Sequence, residues 1–178
     1  MRKLRNKELN RLSVEEFKQT EKTPIIAVLD NIRSLNNVGS VFRTSDALCL
    51  EEIFLCGITP TPPHNDIHKT ALGAEDSMSW EYYEDTLSAI EHLKKNDYKV
   101  YCVEQAEGST SLISFKPQLG EKVALIFGNE VKGVQQSVVD ASDGCIEIPQ
   151  FGTKHSLNIS VSAGIVLWEA TKHIRGLQ

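Results

Sequence analysis

Long apolar runs, paired cysteine motifs and an excess of positive charge are all missing from this chain of 178 residues. No stretch approaches the roughly 18 to 20 uncharged apolar residues that cross a bilayer, so we expect no membrane partner. The N-terminus is basic but lacks the apolar core of a secretory signal. Hydrophobic residues make up 40% of the sequence and charged residues 24%, values that are typical of one globular domain.

The four cysteines, at positions 49, 56, 102 and 145, show neither CxxC spacing nor histidine partners at the distances of a zinc finger. Cys49, Cys56 and Cys102 stand among apolar neighbours. This pattern favours free thiols that act as small buried hydrophobic residues in a reducing compartment. We therefore expect a cytoplasmic protein.

The net charge of −5 argues, taken alone, against nucleic acid as a partner, because binding to phosphates needs Lys and Arg. The charge is unevenly distributed, however, and binding needs only a local basic patch. Both termini are basic, and a solvated charged terminus is the alternative interpretation. The basic residues concerned are Arg2, Lys3, Arg5, Lys7 and Arg11 at one end, and Lys172, His173 and Arg175 at the other.

Apolar runs of strand length alternate with segments of helical periodicity along the chain. This alternation predicts an α/β fold with a mainly parallel sheet and helices on both faces. A candidate boundary near residues 20–24 divides a basic helical extension, 1–22, from one domain, 23–178. Strands are predicted at 25–29, 53–58, 98–104, 123–128 and 145–149, with an extended WEYYED segment. Helices are predicted at 36–50 with Asn36 or Asn37 as the cap, at 67–72, 85–95 and 135–141, and from Ser156 or Leu157 to Ile174.

The segment NNVGSVFRTSDA, residues 36–47, is the first candidate for a site. Gly39 in an early helical turn costs about 1 kcal/mol relative to Ala, but it permits close approach of a ligand or another backbone. The helix start also offers free N–H groups. Arg43 lies one turn inside. The alternative for Arg43 is a surface arginine that pairs with Asp46 or Glu51.

The segment ALIFGNEVKGV, residues 124–134, runs from a strand directly into Gly128. Ligands of parallel α/β sheets bind beyond the carboxyl ends of strands, and glycine there lets the backbone approach a flat ligand. The spacing is neither that of a P-loop nor that of a GxGxxG dinucleotide motif. A tight connection between strand and helix is the alternative.

The segment IPQFGTKHSLNIS, residues 148–160, places Ser156 and Asn158 at the start of the long C-terminal helix. Their side chains either cap that helix or face a pocket, and capping alone explains one of them better than both. His155 has no Ser/His/Asp arrangement around it, which favours a surface histidine over a catalytic base.

Together the three segments resemble the three motifs of the SpoU (TrmH-type) branch of the SPOUT methyltransferases. Asn37 is followed by Arg43 six residues later, then by FGNE with Gly128 and Glu130, then by IP…G…SLN and a long helix. The resemblance covers about residues 24–175. It implies an α/β domain whose C-terminal segment makes a deep trefoil knot over roughly residues 123–165, and a homodimer with the site near the subunit interface.

The resemblance further implies an RNA ribose 2′-O-methyltransferase that uses S-adenosylmethionine, yields S-adenosylhomocysteine and needs no metal. The adenosine would contact Gly128, Ile148 and Leu157, with the backbone near residues 104–105, and so Gln105, as a further contact. The ribose hydroxyl needs its proton removed or its developing negative charge stabilised, a role that the family gives to the motif-one arginine, here Arg43. A guanidinium stays protonated, with a pKa above about 12, so Arg43 either is assisted by an RNA phosphate or only stabilises the oxyanion. The residues implied to hold Arg43 and the ribose in place are Asn37, Glu130, Ser156 and Asn158.

Three other functions remain open from the sequence: methylation of an RNA base nitrogen by the same fold, RNA binding by an inactive domain, and a nucleotide-binding oxidoreductase. Many family members carry a separate N-terminal RNA-binding domain, but only about 22 residues precede the predicted domain here, too few for one. We expect RNA to bind at the dimer surface, the basic termini and the loop 59–76, which contains His64, His68 and Lys69. A compact RNA such as tRNA is the expected substrate, with the D-loop guanosine suggested by the family and rRNA as the alternative.

Overall fold

The structure, a computed structural model, describes residues 1–5 and 8–177. Lys7, one of the basic N-terminal residues, and Gln178, the end of the predicted domain, lie outside the described residues. Strands and helices alternate, as the sequence predicts. The strands are β1 (Thr23–Asp30), β2 (Leu50–Cys56), β3 (Trp80–Tyr83), β4 (Lys99–Val103), β5 (Thr110–Ser111), β6 (Val123–Phe127) and β7 (Gly144–Glu147). The helices are α1 (Val14–Gln19), α2 (Leu35–Ala47), α3 (Asn65–Ala71), α4 (Ala74–Ser77), α5 (Thr86–Lys95), α6 (Gln136–Ala141) and α7 (Ile159–Ile174).

The strands form one parallel sheet in the order β3-β2-β1-β6-β4-β7-β5. The predicted α/β fold with a mainly parallel sheet is therefore confirmed. Central strand β6 is buried along its whole length, as expected when helices cover both faces of a parallel sheet. One apolar cluster packs α2 and α7 against the sheet, and a second cluster packs α5 and α6 against the opposite face. All strands point the same way, so their carboxyl ends meet at a single edge.

Helix α2 is capped by Ser34, so the prediction of Asn36 or Asn37 as the cap is wrong. The Ser34 hydroxyl accepts a hydrogen bond from the Asn37 N–H at 3.3 Å. Gly39 permits close approach of another helix: an added Cβ would lie 2.2 Å from both the Ile67 carbonyl oxygen and the Thr70 hydroxyl oxygen. The glycine therefore allows α3 to pack against α2, a purpose distinct from ligand binding.

Helix α7 begins at Ile159, later than the sequence pattern predicts. Asn158 is its N-cap and accepts from the Ser160 N–H at 2.9 Å, while Ser156 and Leu157 precede the helix. Only one of the two predicted polar residues is therefore a cap. The short strand β5 was also missed, because two residues within a polar run carry no strand periodicity.

The predicted N-terminal extension contains helix α1, whereas residues 1–5 have no regular secondary structure. A capping box between Ser13 and Glu16 starts α1, and buried Phe17 anchors it to the core of the sheet domain. The predicted helical character thus applies to α1, while the division at residue 23 stays a prediction. All four cysteines are free, and Cys56 and Cys102 are buried. No helix within the described ranges is long and apolar enough to cross a membrane.

Candidate active site

A cavity of about 1100 Å³ opens at the carboxyl edge of the sheet, where the loops after β4, β6 and β7 meet. The three loops come from strands that are direct neighbours in the sheet, which is why residues far apart in sequence converge here. Most of the predicted site residues line this cavity: Gln105, Gly128, Glu130, Ile148, Ser156, Leu157 and Asn158. Asn37 and Arg43, on α2, are not among the lining residues.

Glu130 connects the loop after β6 to the start of α2. Its carboxylate accepts hydrogen bonds from the N–H groups of Arg33 and Ser34 at 2.9 and 3.0 Å, and from the Asn37 side-chain amide at 3.0 Å. These donors belong to the free N–H groups and first turn of a helix, where a negative charge is stabilising. The carboxylate thus fixes the position of α2 relative to the cavity.

Asn37 extends this connection to α7. Its side-chain oxygen accepts a hydrogen bond from the Asn158 amide at 3.3 Å, while its own amide donates to Glu130. The side chains of Glu130, Asn37 and Asn158 therefore form one hydrogen-bonded row, hereafter the polar row, at the rim of the cavity. The structure brings together three of the five residues predicted to be catalytic. Ser156 lies close by on the cavity wall and is exposed.

Arg43 lies apart from the polar row. It follows Asn37 by six positions, which places the two side chains about 120° apart around the helix axis, and Arg43 is exposed. The acids considered as its alternative partners are engaged elsewhere: Asp46 accepts from the Ser77 hydroxyl and Glu51 from the Tyr98 hydroxyl, both at 2.5 Å. No ion pair in the described part of the chain includes Arg43, so its guanidinium is available to a ligand that reaches α2 from outside.

Gly128 is required by the packing of its own loop. An added Cβ would lie 2.3 Å from the Gly133 carbonyl carbon and from the Val134 nitrogen. Asn129 and Gly133 form a two-way pair of backbone hydrogen bonds at 3.1 and 2.8 Å, which closes the loop 128–134 into a tight turn. Because Gly128 has no side chain, the turn can fold back against the end of β6, where residues 128–134 line the cavity.

Gln105 contributes a side-chain contact that the sequence did not predict. Its amide donates to the His155 carbonyl oxygen at 2.6 Å and so ties the loop after β4 to the loop 148–158. His155 itself is exposed on the cavity wall, in agreement with a surface histidine. Ile148 precedes His155 in the chain and Leu157 follows it, and both line the cavity.

Glu104 and Asn31 are two positioning residues that the sequence analysis missed. The Glu104 carboxylate accepts from the Val134 N–H at 3.0 Å, and any side chain at Gly133 would collide with it. The Asn31 carbonyl accepts from the Asn129 amide at 2.7 Å, and Asn31 has a φ of 56°, which asparagine tolerates well. Both follow directly after strands, and this position at the carboxyl edge is the signal that would have identified them.

The charge state of Glu130 follows from its partners. Burial alone would raise the pKa of the Glu130 carboxyl, but the hydrogen bonds from Arg33, Ser34 and Asn37 outweigh burial and hold the pKa below its usual value. Glu130 is therefore ionised at neutral pH, and its negative charge faces the N-terminus of α2. This charge belongs to the scaffold of the site, because a carboxylate in that state is a poor general acid.

Glu130→Gln is expected to lower the melting temperature at pH 7, because an amide cannot accept all the donors that meet there. A lowered folded-state pKa stabilises the fold fully above the ordinary glutamate pKa of about 4.3 and loses that effect as pH falls through the folded value. The difference between variant and parent in a thermal denaturation series should therefore shrink below about pH 4. Glu107→Gln, on the same cavity wall, is the control. A difference of equal size at pH 7 and at about pH 3.5 would contradict the assignment.

The sequence model of the SpoU rRNA Methylase family matches residues 24–168 of this chain. The chain belongs to this family. The three motifs that carry the resemblance contribute the polar row and residues of the cavity wall. The predicted membership in the SpoU family is confirmed. The chain is therefore an RNA methylase, and the cavity is its candidate active site.

Known members and solved structures give the family context. A tRNA (guanosine(18)-2′-O)-methyltransferase of Thermus thermophilus is 28% identical over 168 residues, which are 93% of this chain and 83% of that protein. A 23S rRNA (guanosine-2′-O-)-methyltransferase, RlmB, of Haemophilus ducreyi is 26% identical over 93% of this chain and 67% of its own length. The AdoMet-bound rRNA methyltransferase from Sinorhizobium meliloti superimposes with a TM-score of 0.80 at 24% identity, over 91% of this chain and 60% of that longer chain. The structural likeness supports the same α/β fold.

Proposed function

We propose that this protein transfers a methyl group from S-adenosylmethionine to the 2′-hydroxyl of a ribose in RNA and releases S-adenosylhomocysteine. The observation that carries the proposal is the polar row at the rim of the cavity. It joins residues of all three SpoU motifs, Asn37, Glu130 and Asn158, by direct hydrogen bonds. A row of this kind suits the positioning of a polar group that enters from outside.

The cavity fits the cofactor in size and charge. A volume of about 1100 Å³ exceeds what a nucleoside needs, and pockets for small ligands typically measure about 300–1,000 Å³. Carboxylates of Glu104, Glu107 and Asp140 line it, which suits a ligand that carries a sulfonium and an ammonium group. Gly128, Ile148 and Leu157 would hold the adenosine, and Gln105 would keep the covering loop in place. When bound, the cofactor supplies a methyl group that is already activated for displacement.

The protein's own contribution is alignment and charge stabilisation. The polar row and Ser156 would orient the ribose at the rim, so that its hydroxyl faces the cavity interior. Arg43 would stabilise the negative charge that develops on the 2′-oxygen. Alternatively, an RNA phosphate would first take a proton from the Arg43 guanidinium, and the neutral side chain would then accept the proton of the 2′-hydroxyl. Because Arg43 lies outside the cavity of its own subunit, bound RNA or a second subunit must complete the site. No step in this scheme requires a metal.

We also propose that residues 123–165 form a deep trefoil knot. β7 lies beyond β4 and β6 on one side of the sheet, whereas α7 packs against α2 and β1 at the centre. The segment between β7 and α7 must therefore cross the carboxyl ends of β4 and β6, past the loop 128–134. The tie between Gln105 and His155 and the bond between Asn158 and Asn37 hold the segment along this path.

A homodimer is the proposed assembly. Val161, Ile165 and Trp168, on α7, are 48%, 40% and 50% exposed, and their spacing places them on one face of the helix. An exposed apolar stripe of this kind is typical of a protein interface. The stripe begins directly after the SLN motif, so a partner docked there would lie close to the cavity.

We propose tRNA as the substrate, with the D-loop guanosine as the target nucleotide and rRNA as the alternative, and the cytoplasm as the place of action. The tRNA specificity of the Thermus thermophilus relative supports this choice. Free thiols at all four cysteines agree with a reducing compartment.

The experiment has a binding part and a chemical part. Calorimetry should detect binding of S-adenosylhomocysteine and none of NAD, and the purified chain should transfer a labelled methyl group to unfractionated tRNA. Mapping of 2′-O-methyl sites in RNA from a deletion strain, against its parent, should show the loss of one tRNA site. Loss of an rRNA site alone would overturn the tRNA assignment. A methylated base nitrogen, or binding of NAD, would overturn the chemistry itself.

A further inference from the structure

We propose that the side chains of Arg33 and Lys132 bind the phosphodiester backbone of the substrate RNA at the mouth of the cavity. The proposal rests on the RNA-directed function argued above and assigns part of the RNA-binding surface to two residues. Both side chains are exposed, and both residues adjoin the polar row through the backbone: Arg33 donates its N–H to Glu130, and Lys132 follows Glu130 by two positions. They are called the cation pair below.

The two halves of the cation pair come from neighbouring strands. Arg33 lies in the loop after β1 and Lys132 in the loop after β6, and β1 pairs directly with β6 in the sheet. The backbone N–H groups of both residues donate to adjacent side chains, Glu130 and Asn129, in the loop after β6. The Arg33 N–H donates to Glu130 at 2.9 Å, and the Lys132 N–H donates to the Asn129 side-chain oxygen at 3.1 Å. At both positions these hydrogen bonds are made by the main chain, and the side chains are exposed.

Neither side chain is neutralised within the described part of the chain, where no ion pair includes Arg33 or Lys132. Other lysines have acidic partners: Lys69 pairs with Asp66 at 2.6 Å and Lys94 with Asp143 at 3.0 Å. The pairing of Lys69 weakens the prediction that the loop 59–76 takes part in RNA binding. In a protein with a net charge of −5, unneutralised cations next to the cavity are where a polyanion is attracted.

Charge is distributed unequally across the mouth of the cavity. The cation pair lies on the side of β1 and β6, whereas Glu104 and Glu107 follow β4 on the far side. The ionised Glu130 also follows β6, but its carboxylate is engaged by the N–H groups of Arg33 and Ser34 and by the Asn37 amide. The exposed cations are therefore the groups on the first side that can attract a phosphate backbone, whereas the second side repels it. RNA that lies across the cation pair would place a ribose at the polar row between the two sides, the position that methyl transfer requires.

The test measures the affinity of the full-length chain for unfractionated tRNA between 50 and about 200 mM salt, where phosphate contacts dominate the salt dependence. Arg33→Gln and Lys132→Gln should each weaken binding and reduce the slope of log affinity against log salt by about 1, and the double variant by about 2. Lys132 lines the cavity and Arg33 does not, so the cofactor control is the Arg33→Gln variant. Its affinity for S-adenosylhomocysteine should stay at the parental value, because its backbone contact to Glu130 is retained. The loss should be equal for an unrelated single-stranded RNA, since phosphate contacts carry no sequence information.

Lys95→Gln is the matched control. Lys95 is the last residue of α5, at the edge of the sheet opposite the cavity, and it is exposed. Its substitution by glutamine removes the same charge. An unchanged slope in the double variant, or an equal decrease in the control, would overturn the proposal. A loss confined to one RNA species, or a parallel loss of cofactor affinity in Arg33→Gln, would overturn it as well. If the parental chain binds S-adenosylhomocysteine but no RNA, the proposed function fails before the cation pair is tested.

Discussion

Arg43→Ala is expected to abolish methyl transfer to RNA while the chain still folds, dimerises and binds the cofactor. Loss of a charge stabiliser or proton acceptor typically lowers a rate constant by about 100-fold or more. The fold should be unaffected, because Arg43 is exposed on α2 and surface substitutions usually change stability by less than about 0.5 kcal/mol. The measurements are single-turnover methyl transfer, calorimetry with S-adenosylhomocysteine, and mass by light scattering.

Arg43→Lys distinguishes charge from geometry. Lysine keeps the positive charge but loses the planar, forked donor set of the guanidinium. Partial activity in this variant would indicate charge stabilisation, whereas activity as low as that of Arg43→Ala would indicate a need for the forked geometry. Near-normal methyl transfer by Arg43→Ala would refute the catalytic assignment. Its position outside the cavity would then be the ordinary position of a surface arginine.

Gly128→Ala is expected to weaken cofactor binding at least about tenfold, a loss of about 1.4 kcal/mol. The new methyl group would meet the Gly133 and Val134 backbone at 2.3 Å, so the whole turn 128–134 must move. Overpacking of this kind typically costs about 1–3 kcal/mol. The displaced turn would also lose the bond from the Val134 N–H to Glu104 and shift Glu130 away from α2. Calorimetry with S-adenosylhomocysteine and thermal denaturation measure the two effects.

Gly152→Ala is the control for Gly128→Ala. Gly152 lies in the loop 148–158 beside the same cavity, but an added Cβ would meet no atom within 4 Å. Its affinity for S-adenosylhomocysteine should equal that of the parent. If both alanine variants bound equally well, the tight packing at Gly128 would have no bearing on the cofactor site.

The strands were predictable because burial leaves a direct mark on the sequence. The apolar run 123–127 reads as a buried central strand, and β6 is one. Caps were less predictable, since Ser34, Asn36 and Asn37 are all residue types that favour an N-cap. Choosing among them depends on where Glu130 lies, and that residue stands more than 90 positions later in the chain.

The sequence names candidate site residues, but it does not indicate how they are arranged. Family motifs named Glu130, Asn37 and Asn158, yet their direct bonding depends on how three loops meet at the sheet edge. Helical periodicity places Arg43 about 120° from Asn37 around α2, and Arg43 is not among the residues that line the cavity. Glu104 was missed for a different reason: its task is to hold the backbone of a neighbouring loop, and no motif records such a contact.

One carboxylate, Glu130, connects the turn that lines the cavity to the helix that carries Arg43. A ligand that orders either end of this connection changes the free energy of ordering the other. Affinities linked in this way are reciprocal: the factor by which bound cofactor strengthens RNA binding equals the factor by which RNA strengthens cofactor binding. In Glu130→Gln both factors should move toward one together, so the enzyme would bind its two substrates as independent ligands.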